Sequence, residues 1–229
     1  MPGPGYHCRA VSSHGGFRAF LFDWDGTLVD SAERSFRCFQ RVFAEYGIAF
    51  DHERFRRTYS PDWYRTYEAV GLPRERWAEA DGRWIDCYGA EPSLLLPGAR
   101  EALDRLARRG IRPGLVTSGD GMRVRRELGV LGLGGAFGAV VCSGDTERRK
   151  PDPEPLLLAL RRLAVSPREA VYVGDSPEDV QMARAAGTFA VGIPGGFPNR
   201  EALLASRPDL VASGLEAALD ALLRDHEAR

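Results

Sequence analysis

Apolar residues recur along this chain in two different rhythms. Ala19 to Phe22 is a short unbroken apolar run with the length of a buried strand. After Ser31 and Glu33 the spacing changes. Phe36, Phe39, Phe43 and Tyr46 return every three or four positions, the period of one helix face, and Gly47 is a natural stop. Ser60-Pro61 predicts an N-cap followed by proline at the first helical position, opening a helix through about Val70. Trp77, Trp84 and Tyr88 share one face of another helix, up to Gly89. No strand-like run falls between 32 and 90. That stretch is predicted to be all-helical, roughly a four-helix bundle, with its aromatics as the bundle's own core.

From Pro97-Gly98 onward helices and short apolar strands alternate. Helices are predicted at about 98–109, 121–129, 153–164, 178–186, 200–206 and 215–226. Strands are predicted at 111–116, 138–142, 170–173 and 189–193, with 210–211 as a last edge strand. Strands that are apolar throughout belong to a parallel sheet covered on both faces. The predicted class is therefore α/β, a Rossmann-like parallel sheet with helices on both faces and a small all-helical insert after the first strand. The core takes residues 17–31 and 92–229, the insert 32–91, and residues 1–16 read as a disordered tail. Ligands in such sheets sit beyond the carboxyl ends of the strands, where strand order reverses.

Composition narrows the picture in three ways. A formal net charge of −1 offers no basic field, so nucleic acid is not an expected partner. The runs Arg123-Val124-Arg125-Arg126 and Arg161-Arg162 read as solvated helix faces. With no apolar run near 18 residues and no signal-peptide stretch, neither a membrane span nor export is expected. Cys8, Cys38, Cys87 and Cys142 are scattered, which suits buried thiols in a reducing cytoplasm. His7 and His14 lie in the tail and are given no metal role. Lys150 is the only lysine among 31 basic residues, as Asn199 is the only asparagine. A chain that elsewhere uses arginine wherever either will do has kept one compact ammonium, and a guanidinium cannot replace that charge.

The candidate chemistry lies at the predicted strand ends. Asp23 and Asp25 follow the first strand two residues apart, so they leave on one side before Gly26 bends the chain. Two like charges this close need a cation to share, and a hard divalent ion such as Mg2+ is the economical one. The strand at 111–116 runs into Thr117-Ser118-Gly119-Asp120, whose hydroxyls and amides suit phosphate oxygens or an ordinary helix cap. Lys150 stands before Pro151-Asp152-Pro153-Glu154-Pro155, a rigid approach to a helix start. The strand at 170–173 ends in Gly174-Asp175-Ser176-Pro177-Glu178-Asp179. Asp175 suits a metal there. Asp179 faces back from the next helix's first turn, where a carboxylate also suits the dipole.

Together D-x-D-G-T, Thr117, K-P-D-P-E and G-D-x-x-x-D resemble motifs I to IV of the haloacid dehalogenase-like hydrolase superfamily, and the resemblance covers about 19 to 214. The ending Arg207-Pro208-Asp209-Leu210-Val211, then Gly214-Leu215, resembles the phosphoglycolate phosphatase-like branch, with an α-helical cap after motif I. The resemblance implies an aspartyl-phosphate on Asp23, with Asp25 moving protons. It implies Mg2+ held by Asp23, the Asp25 carbonyl and Asp175, with Asp179 behind them. Lys150, Thr117 and Ser118 are then the phosphate-binding residues, Ser118 standing where many relatives have asparagine. The implied substrate is a small phosphorylated metabolite that the cap closes over. Arg54, Arg56, Arg57 and Arg65 are the cap's unranked candidates to meet it. Dehalogenase members lack a carboxylate at the position of Asp25, and phosphonatase members use a cap lysine that is missing here. A β-phosphoglucomutase-like mutase is the alternative, but its usual histidine is Ser35 in this chain. A non-catalytic binding or regulatory protein of the same fold is the second alternative. Oligomeric state is not read from the sequence.

Overall fold

The computed structural model describes residues 16–223. The tail expectation, with His7, Cys8 and His14, and the part of the predicted closing helix beyond residue 223 lie outside them. Among the described residues six strands form one parallel sheet: β1 Ala19–Phe22, β2 Arg112–Asp120, β3 Ala139–Ser143, β4 Ala170–Gly174, β5 Phe189–Gly192 and β6 Leu210–Val211. Their order is β3-β2-β1-β4-β5-β6. Order therefore reverses at the β1–β4 seam, where β1 pairs in register with β4 from Ala19–Ala170 to Phe22–Val173.

The sheet is buried on both faces, which is why its strands are apolar throughout. Phe20 and Phe22 of β1 point to one side, into a cluster with α5 Ala99–Arg108, α6 Gly121–Val130 and α10 Leu215–Leu223. Ala19 and Leu21 point to the other, against α7 Glu154–Leu163, α8 Pro177–Ala186 and α9 Arg200–Ala205. This is the predicted doubly covered α/β architecture. One boundary differs: β2 continues past Val116 to Asp120, with a register shift against β3 in between.

Four helices occupy the insert: α1 Ala32–Glu45, α2 His52–Thr58, α3 Trp63–Val70 and α4 Trp77–Gly89. They share a separate apolar cluster that includes Phe36, Phe39, Phe43, Phe55, Tyr67, Trp84 and Tyr88. A ring as fully buried as Phe43 contributes roughly 1.5–3 kcal/mol. The two connections to the sheet run side by side. Val29 and Leu95 form an antiparallel bridge, Asp30 N–H donates to Leu94 O at 2.9 Å, and Leu96 N–H donates to Leu28 O at 2.8 Å.

Two details correct the sequence reading of the insert. The helix expected from Ser60-Pro61 starts at Trp63 instead, because the Asp62 side chain is its cap, accepting Tyr64 N–H at 3.3 Å. The short helix α2 was not separately predicted, since seven residues hold less than two helical periods. It is held at its start by Asp51, whose Oδ1 accepts Arg54 N–H at 2.7 Å. Asp51→Ala is expected to lower unfolding stability by about 1 kcal/mol, read as a lower urea midpoint at unchanged slope.

Candidate active site

Asp23, Asp25, Thr117, Ser118, Lys150, Asp175 and Asp179, singled out from the sequence, all line one cleft at the carboxyl ends of the strands. Asp23 follows β1 directly, and its N–H donates to Val173 O of β4 at 2.9 Å, locking it to the seam where strand order reverses. The chain then turns tightly. Leu28 and Val29 N–H both return to Trp24 O, and Gly26 takes φ 78°. Asp175 follows β4, and Thr117 and Ser118 lie on the distal part of β2.

Lys150 joins two of these segments. Its ammonium donates to Asp23 Oδ1 at 2.8 Å and to Asp179 Oδ1 at 2.7 Å, and its side chain is 5% exposed. Burial alone would discharge an amine. The Asp179 and Asp23 carboxylates more than reverse that, so its pKa lies above the ordinary lysine value. Asp179 is fixed in turn by a capping box with Ser176, whose N–H and Oγ both donate to Asp179 Oδ2, at 3.1 and 2.7 Å. The Tyr172 hydroxyl lies 3.2 Å from Asp179 Oδ1. Asp179 therefore does two jobs at once: it caps α8 and it aims Lys150.

Asp23, Asp175 and Asp179 bring carboxylate oxygens within 4.8 Å of one another. Burial, against the pull of Lys150, pushes the Asp23 carboxyl up to about 7. Burial and the Asp179 and Asp23 charges push Asp175 well above the carboxylate range. Asp175 Oδ2 is buried and has no hydrogen-bond partner. A buried carboxylate oxygen without a donor, beside two other carboxylates, is a group that a cation would satisfy. The backbone is cut close around it. A Cβ on Gly195 would lie 2.7 Å from Asp175 Oδ2, and one on Gly26 would overlap the same atom. All-oxygen donors suit Mg2+, Mn2+ or Ca2+ rather than softer metals. The residues present thus fit a hard divalent ion.

Asp25 stands apart from that group. The Arg123 guanidinium grips it with two bonds, Nη1 to Oδ1 at 3.1 Å and Nη2 to Oδ2 at 2.5 Å, and the Tyr88 hydroxyl lies 3.3 Å from Oδ1. Burial raises the Asp25 pKa, but Arg123, through its charge and hydrogen bonds, outweighs burial and holds it below the ordinary value. Arg123 also donates to Glu127 at 3.2 Å, and Glu127 accepts the Trp24 indole N–H at 2.6 Å and the Ser93 hydroxyl at 2.8 Å. Arg34 reaches Ser93 Oγ at 3.0 Å and the Glu91 carbonyl at 2.9 Å. The network runs from the candidate acid–base residue to the connection between insert and sheet.

This overturns the reading of the Arg123 run as a solvated face. Arg123 is 7% exposed, whereas Arg125 and Arg126 do face solvent. The available signal was its spacing: Arg123 and Glu127 are four apart and share a helix face with the buried Val124 and Leu128. The insert's arginines also depart from expectation. Arg54 clamps the Ala49 and Val70 carbonyls, Arg57 pairs with Glu53, and Arg65 pairs with Asp62. None of these, nor Arg56, lines the cleft. The insert contributes Ser35, Phe39, Tyr59, Ser60, Pro61, Trp63 and Trp84 instead. Phe39 and Trp84 also belong to the insert's own core, so the aromatics serve both purposes.

The cleft between insert and strand ends is open to one side and has a cavity volume of about 60 Å³. Thr117 lines it, its Oγ1 accepting Gly119 N–H at 3.0 Å, which leaves the hydroxyl proton free for a bound anion. Ser118 lines it as well.

The chain is similar to known proteins in both sequence and fold. Residues 20–193 match the model of the haloacid dehalogenase-like hydrolase family. The chain is similar to the phosphoglycolate phosphatase of Escherichia coli (strain K12), 30% identical over 239 residues, with 91% of this chain and 94% of the relative covered. It is similar to pyrophosphatase PpaX of Bacillus velezensis, 33% identical over 206 residues, covering 83% and 89%. Among solved structures, CbbY from Rhodobacter sphaeroides in complex with phosphate superposes with a TM-score of 0.75 at 26% identity, covering 89% and 96%.

Proposed function

This chain belongs to the haloacid dehalogenase-like hydrolase family as a phosphatase, and we propose that it hydrolyses a small phosphomonoester through an aspartyl-phosphate on Asp23, with Mg2+ as its metal. The observation that carries this reading is the single buried ammonium of Lys150, held between Asp23 and Asp179 beside the unpartnered oxygen of Asp175.

In this reading an Asp23 carboxylate oxygen attacks phosphorus in line. The new P–O bond to Asp23 forms as the bond to the alcohol breaks. Asp25 gives its proton to the leaving alkoxide. It then takes one from the water whose attack breaks the bond to Asp23 and releases phosphate. To give that proton Asp25 must leave the Arg123 fork, which favours its anion; the paired state is the one ready to act as base. Lys150, Thr117 and Ser118 hold the non-bridging oxygens. Asp23, Asp175 and the Asp25 carbonyl would hold the Mg2+, which when bound offsets the charge of an anionic nucleophile meeting an anionic phosphate. That the similar CbbY was solved in complex with phosphate supports a phosphate-handling reading. The mutase alternative is disfavoured by Ser35, which lines the cleft where that chemistry needs a histidine.

Phosphate release from p-nitrophenyl phosphate is expected to need Mg2+ and to stop with excess EDTA; release that EDTA leaves untouched would refute the metal's role. A readout without turnover is thermal unfolding. At a hundredfold excess over its Kd, Mg2+ is expected to stabilise by about 2.7 kcal/mol, or ~5–10 °C in a chain of this size. The gain should be larger at pH 8 than at pH 6. The metal-free Asp23 carboxyl titrates at about 7, and below that a proton competes with the metal.

A further inference from the structure

We propose that Trp84 and Arg123 form a donor site for the leaving group, in which the indole N–H and the guanidinium Nε–H receive an oxygen acceptor carried by the substrate's alcohol. This deepens the phosphatase reading above and rests on it. Trp84 belongs to the aromatic wall that the insert turns toward the carboxylates, and Arg123 comes from the sheet side; both line the cleft and both are more than nine-tenths buried. The Trp84 indole nitrogen and Arg123 Nε are buried atoms with no hydrogen-bond partner. Such donors are uncommon in a folded chain, because each has given up water without compensation. Trp24 and Trp77 do place theirs, on the Glu127 carboxylate and on the Leu72 carbonyl.

The two donors belong to one corner of the cleft. Trp84 stacks on Tyr88, one helical turn later, with ring centres 4.7 Å apart. The Arg123 guanidinium carbon lies 4.9 Å from the Tyr88 ring and 5.9 Å from the Trp84 ring. The Tyr88 hydroxyl and both Arg123 Nη atoms meet Asp25. The corner is therefore tied to the carboxylate that faces the leaving oxygen in the proposed mechanism. An acceptor that reaches it belongs to the alcohol and not to the phosphoryl group, whose oxygens go to Lys150 and Thr117. Arg123 uses its Nη atoms on Asp25 and Glu127, which leaves the Nε–H unengaged. A cavity volume of about 60 Å³ keeps the alcohol small, so its acceptor sits only a few bonds from the ester oxygen. A carboxylate, a carbonyl or a hydroxyl would each serve, since an N–H donates to any of them.

The test compares isosteres that differ in that oxygen: 2-phosphoglycolate against isobutyl phosphate, and 2-hydroxyethyl phosphate against propyl phosphate, all with Mg2+, in wild type and in Trp84→Phe. Wild-type kcat/KM is expected to favour the oxygenated member of at least one pair by about 100-fold or more, because the analogue leaves the donors unpaired. Intrinsic reactivity also differs within a pair, but it is the same for both proteins, so the change in ratio isolates the indole. Trp84→Phe keeps a ring in the wall and removes the N–H, and it is expected to narrow the ratio by about tenfold or more. Ratios unchanged in both pairs, as when the variant slows all four substrates alike, would overturn the inference and leave the phosphatase reading intact. Hydrolysis of none of the four by wild type would bring down that reading and this inference with it. A readout without turnover covers a variant that folds poorly. In Asp23→Asn saturated with Mg2+ and the favoured oxygenated substrate, the Trp84 indole proton is expected to move downfield in the NMR spectrum, and to stay in place with its apolar isostere. The same position with both ligands would reject the donor site.

Discussion

Asp23→Asn will lose phosphatase turnover by roughly 10⁴-fold or more, as removal of a covalent nucleophile does in other enzymes. The substitution is close to isosteric, and the asparagine oxygen can still accept from Lys150, so the loss belongs to chemistry and not to collapse of the site. A second measurement separates nucleophile from bystander. Acid-quenched wild type caught in turnover should carry a hydroxylamine-labile phosphoryl group, and the variant should carry none. Turnover at the wild-type rate, or a labelled variant, would reject the assignment. The fold gives a further sign to check. The folded-state pKa of Asp23 is raised from 3.8 to about 7, so metal-free wild type binds a proton that the unfolded chain has lost. Its stability therefore falls as pH rises from about 4 through 7. Asparagine removes that dependence, so the metal-free variant should be no less stable than wild type at pH 8, with the difference shrinking toward pH 4.

The parts of this site that could be read from sequence are those fixed by local rules. A strand buried on both faces must be apolar, so β1 and β4 announce themselves, and so do Asp23 and Asp175 where the apolar runs stop. Lys150 was legible for a different reason: a chain that favours arginine kept one lysine, and its ammonium is the one found between Asp23 and Asp179. What stayed hidden depends on partners far away in the chain. Arg123 is local in pattern but answers to Asp25, 98 positions earlier. Inside a basic run on an amphipathic helix, one buried arginine looks like its solvated neighbours until the facing strand end is known. The wall rings were hidden by ambiguity: Phe39 and Trp84 pack the insert and line the cleft, and helical spacing is the same for both duties. Pro61 was read as a helix start, yet it lines the cleft, because Asp62 provides the cap one residue later.

The Arg123 network makes the second large prediction. Arg123→Met keeps an unbranched stem of the side chain and removes the charge. It leaves Asp25 without its fork and Glu127 without one of its cations, both largely out of water. Removing one partner of a buried ion pair costs about 3–5 kcal/mol, because the survivor stays buried. Glu127 retains Trp24, Ser93 and a 3.5 Å approach of Arg34, which places the expected loss near the lower end, about 3 kcal/mol by urea unfolding. A loss below about 0.5 kcal/mol is what a solvated face would give, and would show that the pairing does not persist in solution. The double variant with Glu127→Gln should cost less than the sum of the singles, since the two residues share one interaction. Acid sensitivity carries the sign. The Asp25 pKa is depressed in the fold, so its pairing with Arg123 stabilises above the unfolded value of about 3.9 and is lost as pH falls through the lower folded value. The gap between wild type and Arg123→Met should therefore be widest near neutral pH and should narrow below pH 4. In the proposed mechanism the same grip holds the Asp25 anion ready for the base step, the removal of a proton from water. A lysine at 123 retains the charge without the fork, so Arg123→Lys should recover more stability than turnover, a separation that a purely structural arginine would not produce.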